Sequence, residues 1–520
     1  KYRIKKRPVA PETPDSPASD EVTDVDTADE SEGVANADRA STSPDTDSQD
    51  NEGGDGEDNG GISLGVGVAW ARFGGVVDAV IDLDDAGSFE VAETVTLRAK
   101  SNTRGMTAAL GASVLGDNAI NASGAITRQA QLVRARVAGD GTLNAGAAQI
   151  TGLSDNKMWS FAGALAITDG FAFGATLGLT EMSAGTQAVV TDNARIEAGG
   201  IALDARDDTR GVGLGVAAGA STGGTGISAA NGVVVSNGAV DALVSSNAAL
   251  VSTGDVFVNA KRSQELAGLA YHVAVASSVG VGGGLGLGVD KGVTTAQADG
   301  VTISATGDVA LRAGNNTKVV TSAVGGAYGG SVGATGSVAM TFKSDIVLAE
   351  VNNSTISADD AVLVEALNGG RLDGVGGAEE SFFGQFDQIS GGITYGGTAG
   401  IGISVSVIKS TSVVDAVIRG NSTVTADGLG GGIATLARSE SGTQYLDRQG
   451  AMRRGVSVIA DNSTEVNTVA ITGALSQGGG IAFQVPVILL KDTVRARILG
   501  TTSVRPSVTS GSDLAVFAGH

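Results

Sequence analysis

The sequence predicts an all-β chain: a right-handed parallel β-solenoid (β-helix) of about eight repeats of roughly 53 residues, preceded by a disordered acidic linker. Three observations predict it. A short phrase recurs at a nearly fixed interval, a composition rich in glycine and almost free of proline suits continuous ladders, and apolar residues alternate with period two.

The phrase is a strand, a Gly-Asp or Asp-Asp turn and a second strand closed by alanine. It reads TISATGDVALRA over 302–313, LVSTGDVFVNA over 250–260, TISADDAVLVEA over 355–366 and RIEAGGIALDA over 195–205. The closing alanines fall at Ala99, Ala205, Ala260, Ala313 and Ala366, and degenerate copies are expected to close near Ala99, Leu153, Ala437 and Ala518. The other half of each unit is Gly-rich and alternates small with apolar residues, as in 273–289, 332–340 and 401–408. If each half closes one coil, the chain makes about 17 coils and a rod on the order of 80 Å.

Composition divides the chain into residues 1–60 and 61–520. Five of the seven prolines precede residue 45, and residues 11–60 carry 17 Asp and Glu against one Arg, behind a basic start at Lys1, Arg3, Lys5, Lys6 and Arg7. A segment with so few large apolar residues cannot bury enough surface to order itself. The net charge of −22 and the absence of basic clustering exclude nucleic acid as a partner. No cysteine is present, so neither thiolate metal sites nor thiol nucleophiles are available. The start at Lys1, with no signal peptide, reads as a segment of a larger protein.

The uncharged stretch 267–289 is long enough to span a bilayer, but its glycines argue against a helix. A membrane barrel needs aromatic girdles, and aromatics are only 4% of the chain, so the expectation is a segment that is not transmembrane.

Chemistry-bearing residues are sparse. His272 is the one internal histidine and lies in an apolar run, where a satisfied core histidine is expected; triads and His-based metal sites are thereby set aside. The recurrent Asp residues read as turn formers bonding local backbone. Acidic corners are also the chemistry a Ca²⁺ ion uses, yet the nonapeptide of calcium rolls is missing, so no cofactor is expected. The glycine run 279–288 has no third glycine in dinucleotide-loop register and serves close stacking instead. The Asn-Ser-Thr triplets at Asn353, Asn421 and Asn462 have the form of glycosylation acceptors and the simpler explanation of polar corners.

The even spacing breaks after Ala366, which places insertions near 370–395 and 443–465. Insertions in solenoids map to loops on one face, often the binding face. Phe382, Phe383 and Phe386 in the first and Arg448, Arg453 and Arg454 in the second are the candidate contact residues. The phenylalanines read either as a cap over a coil or as an exposed patch.

Over residues 61–520, the alternation of SVGVGGGLGLGVDKGVTTAQA (278–298) with ADGVTISATGDVALRA (298–313) resembles the repeats of giant bacterial filamentous adhesins, of the leukotoxin-type and filamentous haemagglutinin-like groups. The resemblance is one of repeat style and rests on no catalytic or receptor-binding motif. It implies a parallel solenoid exported to the extracellular space or bacterial cell surface, and a stalk or adhesive segment attaching to cells or matrix. The implied partners are cell-surface glycans or proteins, with self-association along the rod. No enzyme activity is expected. The alternatives are a polysaccharide-degrading β-helix and a filament or sheath subunit.

Overall fold

The computed structural model describes residues 61–84, 87–114, 116–369, 386–436, 452–500 and 507–519. The expected linker lies outside these, as do the side chains of Phe382, Phe383, Phe386 and Arg448. The described chain is strand and turn throughout. Nearly all of it falls in two large sheets of 14 and 16 strands, parallel in every pairing, as a β-solenoid requires.

One coil shows the path. Thr302–Ala305 and Val309–Gly329 run in the larger, front sheet, and the chain reverses at Gly330 and Ser331. It returns through the back sheet as Val332–Lys343 and Ile346–Asn352, then turns at Asn353 into Thr355–Ala358 of the next coil. Each residue therefore pairs with one about 53 positions on, as Val256 does with Val309 and Val309 with Val362.

One repeat is thus one coil and not two. The Gly-rich half and the turn-marked phrase, each expected to close a coil of its own, are the two sides of a single flattened coil. Eight coils at about 4.8 Å stack to roughly 38 Å, half the height the two-coil reading gave.

The closing residues form one column, Ala99, Gly152, Ala205, Ala260, Ala313, Ala366, Ala460 and Ala518. Ala460, rather than Ala437, is the seventh member, because the chain leaves the ladder between Thr423–Ala426 and Gly455–Asn462 before completing that phrase. A second departure splits the front strand into Ala361–Asn368 and Phe386–Gly396, where the previous coil has the unbroken Val309–Gly329. Both departures fall between Ala366 and Ala460.

Each coil has two unlike parts. Where 346–352, 355–358 and 361–367 enclose a space, alternate side chains form a continuous apolar core of Val, Leu, Ile and Ala, such as Val347, Ile356, Val362 and Ala366. Beyond it the front and back strands close onto each other as a thin blade lined by Ala, Gly, Ser and Thr. The sheets are so close there that a Cβ on Gly232 would lie 1.9 Å from the Leu269 carbonyl oxygen.

The corner into each new coil needs left-handed backbone. Asn193 (φ 61°), Asn247 (φ 61°) and Asn353 (φ 49°) adopt it, and Gly300 and Gly420 take the same place in other coils. Asn and Gly are the residues that tolerate this region. Asn462, by contrast, is fully buried in a strand and has no access to a glycan.

Candidate functional site

The second insertion packs at least in part against the stack. Ile433 and Leu436 cover an outward apolar patch that includes Phe257, Ala310 and Leu363 of one row and Ile459 of the next. Glu365, fully buried on that face, accepts from the Leu436 amide at 2.9 Å and from Thr435, and lies 3.2 Å from Arg312 Nε. Arg453 sits half-buried in the antiparallel pair of Ile433–Ala434 with Met452–Arg453, while Arg454 is exposed. The structure brings Arg453 and Arg454 to one edge of this cap.

His272 points between the sheets, with Nε2 2.9 Å from Thr335 Oγ1. Its space comes from glycines: a Cβ on Gly284 would lie 2.7 Å from Nδ1, and one on Gly325 2.4 Å from the ring. Burial pulls its pKa down to about 4, so it is a neutral core residue at pH 7. The run 279–288 thereby acquires its role, since Gly282 and Gly284 make room for the imidazole.

The corner aspartates are stacked, and they bond the next coil rather than their own turn. Asp255 accepts from the Asp308 amide at 2.9 Å, Asp308 from the Ala361 amide at 3.1 Å, and Asp360 from the Gly432 amide at 2.8 Å. Burial, then repulsion from Asp360 and Asp255, raises the Asp308 pKa to about 6. Among the described residues no group of three or more His, Asp and Glu side chains converges as a metal site would require.

The strongest concentration of polar chemistry is internal. Where the apolar core meets the blade, a seam of buried polar side chains runs up the stack. Its front column is Ser101, Ser154, Asp207, Arg262, Asn315, Asn368 and Asn462. Arg262 and Asp290 are both fully buried, and Arg262 Nη2 lies 2.7 Å from Asp290 Oδ1, 2.7 Å from Gln264 Oε1 and 2.9 Å from Ser236 Oγ. Gln264 in turn donates to Asp207 at 2.7 Å. Burial raises the Asp207 pKa against the pull of Thr209, Gln264 and Arg262.

Further up, Lys343 Nζ is 3.7 Å from Asp345 and 3.1 Å from Asn368 Oδ1. Asp492 closes the seam. Burial opposes its charge, but hydrogen bonds from Ser410, the Ser412 amide, Thr464 and Asn462 hold its pKa below the ordinary value. Each of these buried charges meets its partners only while these strands lie side by side, and breaking such a pair from one side is costly. Sequence reasoning missed the seam because each member looks like a surface residue alone; the signal was a polar position repeating every 53 residues.

No helix among the described residues is long and apolar enough to cross a membrane. No family model matches the chain, and no curated protein or solved structure is significantly similar to it.

Proposed function

We propose that the chain is a stalk or adhesive segment of a large secreted or surface-attached bacterial adhesin, acting by multivalent attachment to cells or matrix. The observation that carries this reading is the in-register stack, in which equivalent outward positions repeat about every 4.8 Å over eight coils. Weak contacts repeated on one rigid face sum through effective concentration without any deep pocket. The two insertions, around Phe382, Phe383 and Phe386 and around Arg448, Arg453 and Arg454, are the proposed contact points.

The test is binding of residues 61–520 to bacterial and animal cells and to a glycan panel, with and without Ca²⁺. Saturable binding that weakens when 370–385 or 437–451 is replaced by a short Gly-Ser linker is the expected result. Equal binding by both replacements removes the loops from the reading, and no binding to any surface removes adhesion from this segment.

End-to-end filament formation is the second reading. It is favoured by the outermost back-sheet strands Ile62–Asp82 and Gly479–Leu490, each of which has a ladder partner on one side only among the described residues. Concentration-dependent fibre growth in solution would establish it.

A further inference from the structure

The blade is built the wrong way round for water. Its interior is mainly Ala, Gly, Ser and Thr, while its outward positions on both sheets are uncharged over most of their length and mix large apolar residues with Ala and Gly. In the back sheet the segments 62–70, 118–126, 171–179, 225–233, 279–287, 332–340, 399–407 and 479–487 hold no Asp, Glu, Lys or Arg. In the front sheet the same is true of 106–114, 159–167, 212–220, 267–275, 320–328, 389–395 and 467–475, and the one acidic position in their rows is Asp387, level with Val320 and Asn467. Large apolar side chains are exposed on Leu64 (65%) and Leu110 (69%) of the first coil and on Val273 (51%) and Ile393 (64%) further up, while those of 212–220 and 225–233 are half-buried. At about 3.3 Å per residue and 4.8 Å per coil, each face covers on the order of 1,000 Å², beyond the few hundred of an ordinary monomer patch.

Both ends of the blade are marked. At its root the front sheet carries the column Arg104, Lys157, Arg210, Glu265 and Lys318. The back sheet carries Arg72, Arg128 and Glu181 at the same level, with Lys409 further along the stack. This belt is mainly basic in a chain of net charge −22; its acids Glu265 and Glu181 pair with Arg210 and Arg128, and further acids, Asp155 and Asp208, stand in the next front row. The chain has two tryptophans, and both stand in the first outward row past the belt, Trp70 on the back sheet beside Arg72 and Trp159 on the front sheet beside Lys157. At the far end Tyr328 and Tyr395 stack with ring centroids 5.1 Å apart, next to turns of Gly, Ser and Thr, and the equivalent turns of two earlier coils carry Asp117 and Asp169.

We propose that the blade inserts into an anionic lipid bilayer, with the basic belt at the headgroups and the turn end leading. A nine-residue charge-free segment spans about 30 Å, close to the roughly 30 Å of a bilayer's hydrocarbon core. Tryptophan and tyrosine at the two boundaries are where a membrane places them, and Lys and Arg at the root meet anionic headgroups. Scarcity of aromatics is therefore no objection, because those present stand at the boundaries. A second copy would cover one face and leave the other in water, whereas lipid covers both. Lipid cannot pair the ladder edges of the first and last coils, so the inserted chains stack edge to edge.

The experiment mixes the full chain with vesicles of phosphatidylcholine alone or with one-quarter phosphatidylglycerol, and follows flotation, tryptophan emission and quenching by brominated acyl chains. Flotation with the anionic vesicles, quenching of Trp70 and Trp159, and multimers on cross-linking at the vesicle are expected. The double variant Val273→Asp/Ile403→Asp, one change per face at exposed sites, is expected to lower partitioning at least tenfold with an unchanged circular dichroism spectrum. The proposal is overturned by no flotation, by flotation without quenching, by cross-linked monomers only, or by a double variant that binds as well as the parent. Self-association in lipid-free solution, lost in the double variant, would assign the faces to a second copy and also overturn it. These vesicles contain no glycan or protein, so failure here leaves the adhesive reading standing.

Discussion

Replacing Arg262 by Met tests whether the seam is held by charge. The substitution keeps the length of the side chain but leaves Asp290 facing Ser236, Gln264 and the Gly292 amide at 3.3 Å, with the one guanidinium in contact removed. A buried carboxylate without a counter-charge takes up a proton, and neutralising an ordinary carboxyl at pH 7 costs about 4 kcal/mol, at roughly 1.4 kcal/mol for each pH unit above about 3.9. That agrees with the 3–5 kcal/mol typical of breaking a buried pair from one side. The sign follows from proton binding: the variant's folded state holds a proton that its unfolded state releases above pH 4, so its deficit grows with pH. The assay is the guanidinium midpoint by circular dichroism at pH 5 and pH 8, with amide exchange of Val256–Ala276 to localise the effect. Arg262→Met/Asp290→Leu should recover most of the loss at pH 8. A deficit equal at both pH values, or a double variant no better than the single one, would refute the electrostatic account and leave packing as the cause.

His272 gives a pH signature of the opposite sense. With a folded pKa near 4 against an unfolded value near 6.5, its contribution is complete above pH 6.5 and declines toward pH 4 by about 3 kcal/mol, and His272→Ala should flatten that part of the stability profile. At the corner ladder, Asp308 is held near 6 when folded and near 3.9 when unfolded, so it penalises the fold increasingly as pH rises through that window. Asp308→Asn should stabilise by about 1 kcal/mol at pH 8 and by nothing at pH 4, the figure being reduced because the group is half-exposed. Asn247, at φ 61°, should accept glycine within a few tenths of a kcal/mol and lose about 1–2 kcal/mol as valine, read from thermal midpoints of the two variants.

The period was legible because corners repeat more strictly than strands. Asn193, Asn247 and Asn353 and the Asp255–Asp308–Asp360 ladder sit where backbone geometry allows few residues, so they recur in the sequence as punctuation. Coil closure was not legible. A chain that doubles back within one repeat has the same alternation as one that closes twice, and only the pairing of Val309 with Val256 and Val362 separates the two. The seventh closing alanine was misplaced because residues between Ala426 and Gly455 leave the ladder in mid-phrase. The candidate contact residues Arg453 and Arg454 were found from the broken spacing alone, while Thr435 and Leu436, which bond Glu365 and hold that cap down, carried no signal.

The seam and the even spacing answer to one another. Eight near-equivalent coils could slip by a whole repeat, and the closing column, alanine in all but one coil, has nothing that resists such a slip. The front seam column does, because its members change from Ser154 to Asp207 to Arg262 to Asn315 at one position. Moved by one coil, Arg262 would lose Asp290 and face a coil whose cation is already Lys343, a buried like-charge contact in place of a buried pair. Identical coils repeat a surface, and unlike buried groups keep those coils in order. The polar interior is therefore where this chain departs most from its own repeat, and the place where its order is decided.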